Sequence, residues 1–186
     1  MTDALERFVS EMTALVDSHE NDPGNEQPLL EGARAAMEKL IAVDDWLPDA
    51  FAKPHPAYYQ QYLLYRDPQD RFSVVSFVWG PGQETPVHDH TVWGVIGMLR
   101  GAERATPYAL EHGRLVRSGD EVRLDPGAVE LVSPSIGDIH VVSNAYDDRV
   151  SISIHCYGAD IGKVRRHVYD VGSGAVKEFV SGYANA

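Results

Sequence analysis

The stretch Gly82-Gln-Glu-Thr-Pro-Val-His88-Asp-His90-Thr-Val-Trp-Gly94 decides the fold, together with Gly137-Asp-Ile-His140-Val-Val-Ser-Asn144 further on. In an extended strand, residues two apart point the same way. His88 and His90 therefore present two imidazoles to one metal ion, and His140 is the candidate for a third nitrogen. Taken alone, a His-x-His pair next to a turn also describes two surface histidines. The third histidine, in its own Gly-x-x-His-x-x-x-Asn segment, turns the reading toward a metal.

Outward from these segments the chain divides into a helical head and a strand-rich body. In residues 3–17, Leu5, Phe8, Val9, Met12, Leu15 and Val16 recur at helical spacing; a turn is expected at Glu20-Asn-Asp-Pro-Gly. Residues 27–42 carry a second apolar stripe from Leu29 to Ile41, and Pro48, Pro54 and Pro56 end helical patterning. Short apolar or alternating runs predict strands near 58–65, 72–79, 92–99, 102–109, 128–133, 139–143, 150–157 and 164–170, separated by Gly/Pro turns and by Glu111-His-Gly. Many short strands at close spacing point to a mainly β sandwich or closed barrel, with the helices packed outside. Residues 1–186 read as a single domain, with 1–50 the helical segment and 58–170 the barrel.

Composition excludes several partners. Lys+Arg is 16 against 28 Asp+Glu, a net charge of −12, which argues against nucleic acid and anionic membrane. No apolar run approaches a membrane span. The first residues lack the basic and apolar regions of a signal peptide, so the expected location is cytoplasmic. One cysteine, Cys156, excludes an intramolecular disulfide and a Cys-rich zinc site.

The two histidine segments resemble the paired motifs of the cupins, double-stranded β-helix (jelly-roll) barrels that hold a metal inside. Gly82, His88, His90 and Gly101 fit the first motif, but its usual glutamate position falls on Gly94. A site of three neutral histidines leaves the charge of a divalent ion uncompensated and about half an octahedron vacant. Such a centre suits an anionic substrate bound through two atoms, plus O₂, and favours thiolate over thiol. The cupins with three histidines and no glutamate are the thiol dioxygenases, and His88-Asp-His90-Thr resembles their segment. This resemblance to the cysteine dioxygenase type I family implies Fe(II) held by His88, His90 and His140. The cysteine–tyrosine crosslink of the animal enzymes, whose cysteine would stand at Gly94, cannot form here.

Residues 150–157, Val-Ser-Ile-Ser-Ile-His-Cys-Tyr, alternate in character. By pattern alone they form a half-buried strand with its polar face in water. The resemblance instead implies an inward Ser153–His155–Tyr157 row whose tyrosine hydroxyl is aimed at substrate or O₂, with Cys156 pointing away. It further implies Gln60 as a pocket residue, where the animal enzymes have arginine. Arg166, rather than its neighbour Arg165, becomes the clamp for a substrate carboxylate. The glutamine type resembles 3-mercaptopropionate dioxygenase. The function so implied is an iron(II) thiol dioxygenase that adds both atoms of O₂ to a small thiol carboxylate, 3-mercaptopropionate ahead of cysteine. Its partners would be that thiol and O₂, with no nucleic acid and no membrane. A zinc or carbon-directed metallocupin, or a non-catalytic ligand-binding barrel, fits the same three histidines.

Overall fold

The computed structural model describes residues 1–22 and 24–185; the turn expected at Glu20–Gly24 includes Pro23, which lies outside them. Two helices open the chain, α1 (Asp3–Glu20) and α2 (Gln27–Ile41). Among the described residues twelve strands follow: β1 (Gln60–Arg66), β2 (Ser73–Trp79), β3 (Val87–His88), β4 (Gly94–Arg100), β5 (Glu103–Glu111), β6 (Arg114–Arg117), β7 (Val122–Leu124), β8 (Val129–Val132), β9 (Ile139–Asn144), β10 (Ser151–Tyr157), β11 (Arg166–Tyr169) and β12 (Val176–Phe179). They form two antiparallel sheets, ordered β1-β2-β10-β4-β8 and β12-β11-β3-β9-β5-β6, with β7 on β5. This is the expected cupin double-stranded β-helix with helices outside.

The apolar stripes of α1 and α2 are buried at the positions that helical spacing predicts. They cover the outer face of the five-stranded sheet, where Val74 and Val78 of β2, Val95 and Leu99 of β4, and Ile152, Ile154 and Cys156 of β10 join one core cluster with Met12, Met37 and Ile41. The inner faces of the same strands contribute Val75, Phe77, Trp79, Ile96, Met98 and Tyr157 to a second cluster, inside the barrel. Burial on both sides explains the continuous apolar runs of these strands. Gly97 lets α2 approach, because a Cβ there would come within 2.6 Å of Met37.

The expected strands form with ends shifted by a few residues. Three short strands, β6, β7 and β12, had not been expected; they span only three or four residues each and are largely exposed, so hydrophobic patterning does not reveal them. The turn at Glu111-His112-Gly113 joins β5 to β6, with φ of 51° and 77° at its two central residues.

Asn144, at the end of β9, closes one end of the barrel. Its amide donates to the carbonyls of Trp79, Gly80 and Arg149, and its carbonyl accepts from Ser151 Oγ at 2.8 Å. Replacing Asn144 by Ala strands these buried groups and should destabilise the fold by about 3 kcal/mol in chemical denaturation, with the slope unchanged.

Candidate metal centre

The three histidines come from two neighbouring strands and a loop. His88 on β3 lies directly opposite His140 on β9 in an antiparallel pair. His90 departs from the sequence reading, which placed it on one strand with His88. The strand ends at His88, and the chain turns at Thr91 with φ of 61°. Asp138 holds this turn. Its carboxylate accepts from the backbone N–H of His90 at 3.1 Å and of Thr91 at 2.8 Å, and from His90 Nδ1 at 3.0 Å. The imidazoles converge because a carboxylate fixes the turn, not because of strand alternation.

The ligand atoms of His88, His90 and His140 lie within 4.8 Å of one another, and among the described residues no carboxylate joins the cluster. All three rings are buried. Burial holds His88 down to about 3 and His140 well below the usual histidine range, so both are neutral donors at neutral pH. His88 Nδ1 lies 3.0 Å from the carbonyl of Pro86. A carbonyl accepts only, so Nδ1 carries the proton and the Nε2 lone pair is free. The same argument applies to His90 Nδ1 against the Asp138 carbonyl and carboxylate. Three convergent imidazoles held in place by hydrogen bonds at Nδ1 of His88 and His90 fit a divalent transition metal. The position expected for a fourth, acidic ligand is closed: a Cβ on Gly94 would come within 2.7 Å of the Tyr157 ring.

Strand β10 is buried along its whole length, which overturns the half-buried pattern reading. Its polar face is inside the barrel and satisfies itself in series. Ser153 Oγ meets His155 Nε2 at 2.7 Å, and His155 Nδ1 meets Tyr157 Oη at 2.7 Å. The Tyr157 ring stacks on His90, with centroids 5.3 Å apart. Burial pushes the Tyr157 phenol far up, so it stays protonated. Cys156 faces the helices, and burial raises its thiol well above the ordinary range.

A cavity of about 240 Å³ connects the imidazoles and Tyr157 to Arg166, the first residue of β11. Arg166 is 3% exposed. Its Nη2 donates to Ser181 Oγ at 2.7 Å, and its guanidinium lies 4.7 Å from the centre of the Phe179 ring. Its Nε has no partner, and no carboxylate among the described residues forms an ion pair with it. Arg165 is on the other face, pairing with Glu178 at 3.5 Å with its side chain 72% exposed.

Gln60 requires a correction. It does not line this cavity; Gln61 does. In the β1–β2 register Gln61 lies opposite Phe77, which faces the interior, whereas Gln60 lies opposite Val78, which faces the helices. A one-residue slip along a strand exchanges its faces. Gln61 Nε2 donates to the Gly182 carbonyl at 3.0 Å and to Ser181 Oγ at 3.3 Å. Tyr59, two residues before Gln61, also lines the cavity, as do Phe179 and Ser181. The last two carried no sequence signal, because β12 and the segment after it lack apolar periodicity. Asp89 was likewise unforeseen: it accepts from His167 Nδ1 and Tyr169 Oη, both at 2.8 Å, and so ties β3 to the strand that carries Arg166.

A sequence profile of cysteine dioxygenase type I matches residues 42–170. The chain belongs to the cysteine dioxygenase type I family. The matched segment contains the three histidines, the Ser–His–Tyr row and Arg166, whereas Phe179 and Ser181 lie beyond it. Similar solved structures include an uncharacterized conserved protein with a double-stranded β-helix domain from Klebsiella pneumoniae. It is 15% identical, with 70% of this chain and 91% of that one covered and a TM-score of 0.48. A cupin superfamily protein from Desulfitobacterium hafniense is 14% identical over 63% and 94% of the two chains, at 0.48. A cupin-like protein from Thermotoga maritima is 17% identical over 74% and 90%, at 0.47.

Removing one imidazole leaves a two-histidine site. His140→Ala should abolish retention of a stoichiometric divalent metal after dialysis, measured by elemental analysis. Asp138→Ala should retain the fold but weaken metal affinity by about 10–100-fold, because it frees the His90 ring.

Proposed function

We propose that this protein is an iron(II)-dependent thiol dioxygenase that converts a small thiol carboxylate and O₂ to the sulfinate, with 3-mercaptopropionate preferred over cysteine. The observation that carries this reading is the pairing of a three-histidine cluster with a buried guanidinium that lacks an acidic partner, across one small cavity. Family membership supports both the thiol chemistry and iron(II), and the three imidazoles supply a site for a divalent metal.

The residues divide the work. Arg166 and the hydroxyls near it receive the substrate carboxylate through charge-assisted hydrogen bonds. The thiol end then lies toward His88, His90 and His140. A ferrous ion held by these three would lower the thiol pKa and bring O₂ and sulfur together. Tyr157, oriented by His155 and Ser153, offers its hydroxyl to the reacting oxygen or the carboxylate. Phe77, Trp79, Val142 and Val168 exclude water from the remaining wall. Both oxygen atoms of O₂ end on sulfur, so the overall reaction balances without another reductant.

The cavity's charges support the preference for 3-mercaptopropionate. Its lining contains no Asp or Glu, so the ammonium group of cysteine would lie unpaired in a cavity that already holds Arg166. 3-Mercaptopropionate has no such group.

Oxygen consumption by the iron-loaded protein should follow the order 3-mercaptopropionate, cysteine, cysteamine, and product mass should rise by two oxygen atoms. No uptake with any thiol would end this reading. Arg166→Ala should raise the KM for 3-mercaptopropionate about 100-fold and leave that for cysteamine, which lacks a carboxylate, nearly unchanged.

A further inference from the structure

One buried acid remains without a role. Glu103, at the start of β5, is 2% exposed, and its Oε1 has no hydrogen-bond partner. Its neighbours along the sheet are apolar or neutral: Leu124 on β7 and Asn144 on β9. Across the barrel its carboxyl lies against the Ser153 hydroxyl of β10 and the Trp79 indole of β2, with the charge of Glu130 on β8 also reaching it. Burial is the main force holding Glu103 up to about 7, and Glu130 adds to it. Burial raises Glu130 to about 7 as well. Ser153 is the far end of the row that leads to Tyr157, and the field of Glu103 reaches Tyr157 itself.

We propose that Glu103 is a positioning residue whose protonation sets the direction of every hydrogen bond in the Ser153–His155–Tyr157 row, and so decides whether the Tyr157 hydroxyl donates into the cavity. This rests on the function proposed above.

The proton count closes in both states. Trp79 Nε1 donates to Ser153 Oγ at 3.3 Å throughout, using one of its two lone pairs. With Glu103 protonated, its O–H donates to the second lone pair. Ser153 then donates to His155 Nε2, the Nδ1–H of His155 donates to Tyr157 Oη, and the tyrosine proton is free to point at ligand. With Glu103 ionised and its proton lost to solvent, Ser153 turns its O–H to the carboxylate. His155 now carries its proton on Nε2 and donates to Ser153. Its bare Nδ1 accepts from Tyr157, whose proton is thereby withdrawn from the cavity. Only protons move, and His155 remains neutral.

Two readouts test this on the iron-loaded protein. Infrared spectra under argon, from about pH 5 to about pH 9, should show protonated carboxyl absorption that disappears near neutrality, with one component lost in Glu103→Gln and retained in Glu130→Gln. A Tyr157 ring band, assigned with Tyr157→Phe, should shift in the same step. That shift should vanish in Glu103→Gln and in Ser153→Ala, which breaks the row. Glu130→Gln should move the carboxyl step to lower pH and keep the Tyr157 shift, since it removes only a like charge. In oxygen uptake, the alkaline fall in kcat should move up by about one pH unit or more in Glu103→Gln, whose amide donates permanently, with KM little changed. A Tyr157 band that stays still while Glu103 titrates, a Glu103 carboxyl that does not titrate, or superimposable pH profiles would each overturn the proposal. Absence of thiol-dependent uptake in the wild-type protein would instead sink the proposed function, and the infrared coupling would still decide the role of Glu103.

Discussion

A guanidinium shielded from water with no acid beside it is costly, and the fold accepts that cost at Arg166. An uncompensated buried charge costs several kcal/mol. Here the Ser181 hydroxyl and the Phe179 ring soften it without neutralising it. On the far side of the same cavity stand three buried imidazoles, of which burial keeps His88 and His140 neutral. Neither wall supplies a negative charge, so the cavity as a whole calls for an anion. That requirement is what favours, in the proposed function, a thiol carboxylate over a ligand with its own ammonium group.

The scaffold keeps these groups apart and rigid. Strands β2, β4 and β10 are sealed on one side by α1 and α2 and on the other by the barrel interior. A strand with no wet face cannot satisfy polar side chains with solvent, so Ser153, His155 and Tyr157 must bond to one another. Their mutual 2.7 Å contacts follow from this isolation. On the opposite sheet, Asp89 and Asp138 flank the two adjacent histidines. One fastens β11 and the other fastens the turn at Thr91, so the walls that carry Arg166 and His90 are braced by carboxylates that do not themselves enter the cavity.

Much of this was legible in the residues. The apolar stripes of both helices and the longer strands are visible because burial on one or two faces dictates side-chain type at fixed spacing. His88, His90 and His140 were legible through motif spacing, whereas Ser153, His155, Tyr157 and Arg166 were singled out only by the family resemblance, since pattern alone put them on a solvated face. Gln61 was missed in favour of Gln60, since pattern alone does not say which face of β1 turns inward when two glutamines are adjacent. Glu103 gave no hint either: an acid in a strand reads as surface until the opposite sheet is seen to cover it.

The sequence by itself determined the class of fold and the residue types available for chemistry, because periodicity and short-range spacing are properties of neighbouring residues. Only the tertiary structure decided which of those residues face one another. The pairing of β3 with β9, the covering of Glu103 by β2 and β10, and the seating of Phe179 and Ser181 against Arg166 are contacts between distant segments. Their geometry is set by how two sheets close around a shared interior, which no local pattern encodes.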